Sequence, residues 1–241
     1  MTNFTIKIVS DNVCPWCYIG KKKLDRAIDV HRKVYPSAGD GDTFTLSWSP
    51  FYLDETLPKH GIPFLDRFTQ RLGPERVNHF KERLRSIGAQ EGIQFSFAGK
   101  MGNARDSHRL IQLGKTKGSE VENRVVAGLF HDYFEGTGDI TSHETLVDVG
   151  IRAGMEPNEI RDWLKSGKGG EVVDAQVRDA KAKGWSGVPR YIIQDKYEID
   201  GAQEPQEFLE VFAKVKLEEE AGTQGNMSGA LAVGDHCSAG L

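Results

Sequence analysis

The alternation of apolar and polar residues near the N-terminus predicts a β-strand over Thr5–Val9. From Tyr18 to Val34 the apolar residues recur at helical spacing, which predicts an amphipathic helix. A second alternating stretch, Thr43–Trp48, predicts another strand. A strand, a helix and a strand in this order form a β-α-β unit, whose two strands should be parallel with a right-handed crossover.

The middle of the chain is predicted to be mainly helical. Helical spacing predicts six segments: Phe64–Leu72, Pro74–Gln90, Ala104–Lys117, Ser119–Phe134, His143–Ala153 and Pro157–Leu164. Asn103, Ser119 and Ser142 stand where helix N-caps are expected. The remaining predicted elements are a helix, two short strands and a closing helix: Glu171–Lys183, Arg190–Ile193, Tyr197–Ile199 and Pro205–Leu217. The composition changes from Glu218 onward: Glu218-Glu219-Glu220 ends the last predicted helix, and then Gly, Ser, Ala and Asn dominate, which predicts a flexible or loosely packed tail.

Composition and charge argue against several classes of protein. The 241 residues carry a net charge of −4 at pH 7, and no basic run suggests a nucleic-acid partner. No apolar run approaches the roughly 18 residues of a bilayer-spanning helix. The chain passes from Met1 directly into the first predicted strand and has three cysteines. We therefore expect a reducing, cytoplasmic location, with export by another route left open.

The motif Cys14-Pro15-Trp16-Cys17 lies between the first strand and the first helix. If Cys14 caps that helix, Pro15 falls at the first turn, where its missing N–H costs nothing. The free N–H groups of the helix end then favour a thiolate, which is the form that attacks disulfides. Cys17, one turn along, can close on Cys14 and release a trapped mixed disulfide. A strand, two thiols and a helix in this order predict redox chemistry.

Two simpler interpretations of this pair exist. Half of a zinc site would need two more ligands, and the third cysteine, Cys237, stands beside His236 in a Gly-rich tail. We therefore expect no metal. Alternatively, both thiols could be inert core residues. Cys237 itself is either an inert exposed thiol or a third redox cysteine.

A second informative motif, Gly187-Val188-Pro189, directly precedes the Arg190–Ile193 strand. A proline at the start of an edge strand is tolerated in any fold. In a thioredoxin fold, however, a cis-proline faces the dithiol, and the residue before it pairs with an extended thiol substrate. Since the dithiol and this proline occur in the expected order, we predict that Pro189 is a cis-proline of the catalytic site.

At this point the chain resembles the DsbA-like thioredoxin superfamily, and within it the FrnE-like intracellular oxidoreductases. The resemblance spans Phe4 to about Val215 and rests on five blocks: Ser10–Gly20, Trp48–Phe51, Asn103 with Ser107–Leu110, Gly187–Pro189 and Gly201–Pro205. It implies an α/β thioredoxin fold with an inserted all-helical domain. The implied boundaries are 1–60 and 171–217 for the thioredoxin-like domain, 61–170 for the insertion and 218–241 for the tail.

The same relatives include kappa-class glutathione transferases and 2-hydroxychromene-2-carboxylate isomerases, in which a serine commonly replaces the first cysteine. This chain keeps both cysteines. The resemblance therefore favours a thiol–disulfide oxidoreductase acting on protein or glutathione disulfides. The alternative is a glutathione-dependent isomerase or transferase acting on a small apolar, polyketide-like molecule in a pocket of the insertion. A binding module that only captures peptides is a third possibility.

The resemblance also implies roles for the motif residues. Cys14 is the expected exposed nucleophile and Cys17 the buried resolving thiol, while Pro15 and Trp16 tune the redox balance. Because an indole stands where strongly oxidising relatives have a histidine, we expect a less oxidising couple than DsbA. Trp16 could also form an apolar wall for the substrate. Asp11 either assists proton transfer to Cys17 or closes a turn on its own backbone.

Further candidates concern substrate or glutathione, which would be a cosubstrate rather than a tightly bound cofactor. Their positions in the motifs single out eight residues: Pro15, Trp16, Phe51, Asn103, Val188, Asp200, Ala202 and Gln203. Asn103 could instead be a plain N-cap, and the Gly201–Gln203 stretch only a tight turn. Arg109 is expected to be solvated or in a structural ion pair. The expected partner is a thiol or disulfide substrate, and a homodimer is left open.

Overall fold

The computed structural model describes residues 1–36 and 41–230, with residues 222–230 described through their backbone alone. Its strands are β1 Asn3–Ser10, β2 Thr43–Pro50, β3 Ile62–Pro63, β4 Lys100–Met101, β5 Arg190–Ile193 and β6 Tyr197–Asp200. Its helices are α1 Pro15–Val34, α2 Phe64–Leu72, α3 Pro74–Gln90, α4 Arg105–Thr116, α5 Ser119–Phe134, α6 His143–Arg152, α7 Pro157–Ser166, α8 Gly170–Ala182 and α9 Pro205–Ala230.

Four strands form one mixed sheet in the order β2-β1-β5-β6. Strands β1 and β2 are parallel, with Ile6 opposite Leu46, which confirms the predicted β-α-β unit. Strand β5 is antiparallel to both β1 and β6. Since side chains alternate between the faces of a strand, Phe4 packs on one side with Phe212 of α9, while Val9 packs with Ala180 of α8. Helices therefore cover both faces of the sheet.

The stretch between β2 and α8 is the helical insertion that the sequence predicts. Its helices and the main sheet share one continuous apolar core, which includes Ile8 and Trp48 of the sheet and Phe130 of α5. It also contains a short antiparallel ladder of β3 and β4, in which Ile62 lies opposite Met101. Strands of two residues leave too little alternation to be read from sequence. The α/β thioredoxin fold with a helical insertion is confirmed.

Three local expectations meet different outcomes. Ser142 caps α6 and accepts a hydrogen bond from the Thr145 N–H at 3.5 Å, as predicted. The predicted N-cap at Ser119 is wrong, because Gly118 precedes α5 and the Ser119 hydroxyl donates to the Leu46 carbonyl at 2.8 Å. This bond ties the insertion to β2. Arg109 is buried and donates to backbone carbonyls at the end of α7, so its role is structural.

The last helix continues beyond the predicted end at Leu217, through to Ala230. The residues Glu218–Ala221 are strong helix formers, so the helix has no reason to end before them. The expectation of a tail that begins at 218 is therefore wrong for the backbone as far as Ala230. Cys237 and His236 lie outside the described residues.

Candidate active site

The start of α1 positions both thiols of the motif. Cys14 is the N-cap residue, with extended backbone, and Pro15 occupies the first helical turn, as the sequence predicts. The Cys17 N–H donates to the Cys14 carbonyl at 3.1 Å, which places the two side chains one turn apart. Both cysteines are free thiols. The positive end of the helix dipole favours negative charge at Cys14, and the first turn of α1 contains no acidic residue.

The segment before β5 faces the first thiol. The Val188–Pro189 bond is cis, and the Cys14 Sγ donates to the Val188 carbonyl oxygen at 3.7 Å. Pro189 is buried against the side of α1: a Cβ added to Gly20 would lie 3.0 Å from its Cγ. The structure thus brings together Cys14, Val188 and Pro189, which are far apart in the sequence.

The second thiol is the more strongly perturbed. Burial raises the pKa of Cys17 well above its usual value, the neighbouring Cys14 raises it further, and the Ser10 hydroxyl opposes the rise. Cys17 is therefore a protonated thiol at neutral pH. The expectation that Cys14 is exposed is wrong, because only 2% of its surface is accessible. Residues of the insertion enclose the space in front of the Cys14 thiol. These residues are far from Cys14 in the sequence.

Cys14 opens into a cavity of about 330 Å³ that extends under α2 and α3. Most of its lining is apolar: Val13, Pro15, Trp16, Leu53, Leu57, Phe68, Leu72, Phe80 and Met101. Its polar lining residues are Asp54, Arg67 and Arg71. Trp16 is half-buried, and the Arg83 guanidinium lies 5.3 Å from its ring centre. Trp16 thus lines the cavity beside the thiol, and its roles in redox tuning and substrate contact stay predictions.

Asp11 is buried in the loop that leads into α1. Its carboxylate accepts from the Val13 N–H at 3.2 Å and from the Leu53 N–H at 2.8 Å. Burial raises its pKa to about 6, against the effect of these backbone bonds. The side chain therefore closes a turn on its own backbone, as one interpretation held. It also anchors Leu53, which lines the cavity.

His108 of α4 lies beside this carboxylate, and the sequence did not assign it a role. Its Nε2 is 4.0 Å from Asp11 Oδ1 and has no hydrogen-bond partner. Burial lowers the pKa of His108 to about 3, so the ring is neutral at physiological pH. Only its place in the block Ser107–Leu110 pointed towards the site.

Two predicted site residues lie elsewhere. Phe51 is buried in the cluster with Val9 and Ala180, on the α8 side of the sheet, and does not line the cavity. Asn103 stands one residue before Ala104, the N-cap residue of α4, so the N-cap prediction is wrong for Asn103; its Oδ1 accepts from the Arg105 N–H at 2.9 Å. It borders a separate polar depression. Neither side chain lines the cavity beside Cys14, so substrate contacts from Phe51 and Asn103 stay predictions.

The predicted glutathione residues after β6 form a tight turn, which is the simpler of the two interpretations. Gln203 Nε2 donates to the Asp200 carbonyl at 2.7 Å, while the Asp200 carboxylate pairs with Arg190 at 2.9 Å. Ala202 lies against α1, since its Cα is 3.4 Å from the position of a Cβ at Gly20. The polar side chains of this turn are thus engaged locally, while the Gly201 N–H donates to the Pro189 carbonyl at 2.8 Å and ties the turn to the site.

Within the described part of the chain, no group of three or more His, Cys, Asp or Glu side chains is arranged to hold a metal ion. The described helices include none that is long and apolar enough to cross a bilayer.

The sequence matches the DSBA-like thioredoxin domain over residues 5–213. The chain belongs to the DSBA-like thioredoxin family. This agrees with the dithiol at the start of α1 and the cis-proline beside it, and it supports an enzyme of the oxidoreductase class. The search of curated proteins finds no match.

Solved structures extend the comparison. A probable DsbA oxidoreductase from Streptomyces coelicolor shares 26% identity at a TM-score of 0.77, covering 89% of this chain and 91% of that one. A 2-hydroxychromene-2-carboxylate isomerase shares 16% identity at a TM-score of 0.59, covering 94% and 98%. The cytosolic disulfide reductase DsbM from Pseudomonas aeruginosa, solved with glutathione, shares 18% identity at a TM-score of 0.52, covering 89% and 99%. The last two similarities show the fold alone.

Proposed function

We propose that this DSBA-like protein is a thiol–disulfide oxidoreductase that uses Cys14 and Cys17 on protein or glutathione disulfides. The observation that carries the proposal is the asymmetry of the pair. Cys14 caps α1 and borders a cavity, while Cys17 is buried behind it with a raised pKa. An attacking sulfur that borders a cavity and a second thiol enclosed behind it are what a two-step exchange requires.

In the first step, the Cys14 thiolate attacks one sulfur of the substrate disulfide. A bond forms between the two sulfurs, the substrate S–S bond breaks, and the other half leaves with the electron pair and takes up a proton. Cys17 then loses its proton and attacks Cys14 Sγ, which releases the first half as a thiol. The substrate gains two electrons and the dithiol becomes a disulfide. A dithiol or two glutathione molecules return it to the starting state.

Val188 and Pro189 serve this reaction as a docking edge. The Val188 carbonyl lies beside Cys14 Sγ, and backbone groups at such an edge can pair with an extended substrate as a strand does. Glutathione would use the same edge through its cysteinyl backbone. The Ala202 backbone forms the far end of this surface, since it packs on the same side of α1 as Pro189.

A second candidate is a glutathione-dependent isomerase or transferase. The apolar cavity beside Cys14 favours it, since small-molecule sites are concave and mostly apolar. In that reaction Cys14 would activate glutathione in place of the serine that is common in the related enzymes, and Cys17 would be dispensable. The two candidates therefore differ in what the second thiol does.

Single-cysteine variants test the proposal, in a full-length Cys237→Ser background that leaves the motif thiols alone. Cys14→Ser should abolish exchange with oxidised glutathione, because no attacking sulfur remains. Cys17→Ser should accumulate a Cys14–glutathione adduct, measured by intact mass, because nothing resolves it. A Cys17→Ser variant that traps no adduct while a glutathione-dependent isomerisation continues would replace the first candidate with the second.

A further inference from the structure

The surroundings of Cys14 differ on its two sides. On one side lie the Val188 carbonyl and Pro189, which form the docking edge. On the other side is the cavity under α2 and α3. A disulfide that reacts at Cys14 has two halves, and the docking edge accounts for one. The cavity is the remaining place for the other half, so the inference below rests on the proposed function.

The size and lining of the cavity favour a small molecule. A volume of about 330 Å³ is at the lower end of the range of ligand sites, which runs from about 300 to 1,000 Å³. Leu57, Phe68, Phe80 and Met101 provide apolar contact area. Phe68 stacks on Phe80 with ring centres 5.2 Å apart, so this part of the lining is aromatic. Glutathione, a polar tripeptide, does not match this lining.

The charged groups of the cavity do not balance. Arg67 and Arg71, one turn apart on α2, both contact a single oxygen of Asp54, at 3.0 and 3.2 Å. The other Asp54 oxygen accepts from the Thr56 N–H and hydroxyl. Two guanidinium groups therefore share one carboxylate, which leaves one positive charge in excess at the cavity.

Both arginines also keep donors for a ligand. The Arg67 Nε is buried and has no hydrogen-bond partner, although unpaired buried donors are rare. The Arg71 side chain is 67% exposed and contacts Asp54 through one of its two terminal nitrogens. Guanidinium groups bind carboxylates with a planar pair of donors. The Arg83 guanidinium over Trp16 adds positive charge near the same opening.

We propose that the cavity binds one half of a small disulfide, a half that has an apolar, aromatic body and an anionic group. The body packs against Leu57, Phe68 and Phe80. The anionic group contacts Arg67 and Arg71. The disulfide sulfur then lies at Cys14, whose thiolate displaces the other half with the electron pair of the broken S–S bond.

Two aryl disulfides test the charge preference. Dithiobis-nitrobenzoate carries a carboxylate on each ring, and dithiodipyridine carries none; the product that each releases is followed by its absorbance. The quantity measured is the rate constant of Cys14 with dithiobis-nitrobenzoate divided by its rate constant with dithiodipyridine, in the full-length Cys237→Ser chain. Arg71→Gln should lower this ratio about fivefold, equivalent to about 1 kcal/mol at 25 °C. Arg67→Gln should lower it as well, so the test does not depend on one variant.

Arg85→Gln is the matched control, because it removes the same charge from α3 but Arg85 lies over Phe97 and does not line the cavity. It should leave the ratio within about twofold of the parent, since a distant surface charge acts weakly in salt. Naphthoate should also protect Cys14 from dithiodipyridine in a saturable way, and naphthylmethanol less so. Protection by naphthoate that Arg71→Gln abolishes would support the carboxylate contact directly.

Equal ratios in the parent, Arg71→Gln and Arg67→Gln chains would overturn the inference, as would an equal fall in Arg85→Gln. Such a result with intact exchange of oxidised glutathione would leave the proposed function standing. Failure of the proposed function has a different signature: Cys14 forms no adduct with either reagent and exchanges no disulfide.

Discussion

Replacing Gly20 with alanine should destabilise the protein, against the ordinary preference of helices. Gly20 lies in α1, one turn after Cys17, where it faces β5. A Cβ at this position would be 2.3 Å from the Tyr191 hydroxyl oxygen and 3.0 Å from Pro189 Cγ. Non-bonded heavy atoms prefer about 3.5–4.0 Å. Tyr191 is fully buried and Pro189 is buried, so neither side chain can move into solvent.

Two opposing terms set the magnitude. Alanine in a helix interior is favoured over glycine by about 1 kcal/mol. Overpacking of a filled core costs about 1–3 kcal/mol, and the closest contact is far inside van der Waals distance, which favours the upper part of that range. We expect Gly20→Ala to lower the free energy of unfolding by about 1–2 kcal/mol. For a chain of this size, each kcal/mol lowers Tm by roughly 2–4 °C.

Urea unfolding followed by tryptophan fluorescence measures this change. Tyr191→Phe removes the obstructing oxygen, which has no hydrogen-bond partner, so the loss should be small. The double variant Gly20→Ala/Tyr191→Phe should recover about 1 kcal/mol, which appears as coupling in a double-mutant cycle. Gly187→Ala is the control, because its added Cβ meets no atom within 4 Å.

Either of two results would refute this reasoning. If Gly20→Ala stabilises the protein by the full helix preference, the close packing of α1 on Tyr191 is not real. If the double variant is no more stable than Gly20→Ala alone, the hydroxyl is not the obstacle.

Three further predictions concern buried ionisable side chains. The pKa of His108 is lowered from 6.5 to about 3. Between these two pH values the His108 ring is protonated in the unfolded chain and neutral in the folded protein. His108→Asn should therefore weaken the loss of stability on acidification in urea titrations from pH 7 to 4. Asp11, with its pKa raised from 3.8 to about 6, has the opposite sign, so Asp11→Asn should steepen that loss. Arg109→Met should lower the free energy of unfolding by about 3 kcal/mol or more, because it removes donors from the Trp163 and Leu164 carbonyls. Recovery by Arg109→Lys should be incomplete, and full recovery would contradict this role.

The sequence predicted the parts of this protein that local signals determine. The alternation in β1 and β2 and the helical spacing of α1 define the β-α-β unit. The residues around Cys14 and Pro15 carry their own capping signal, because an N-cap and a first-turn proline are set by the backbone of a few neighbours. The order of dithiol and proline then pointed to the family. The strand, helix and capping inferences need only contacts that are close in sequence.

The tertiary structure decided which side chains meet Cys14. Phe51 and Asn103 occur in the right motifs, but the sheet register and the start of α4 direct them elsewhere. The burial of Cys14 and the charged wall of Arg67 and Arg71 come from the insertion, which lies far from Cys14 in the sequence. A residue pattern specifies the face of an element but not the partner against which that face packs. That partner depends on how all elements fill the core together, and only the folded chain determines it.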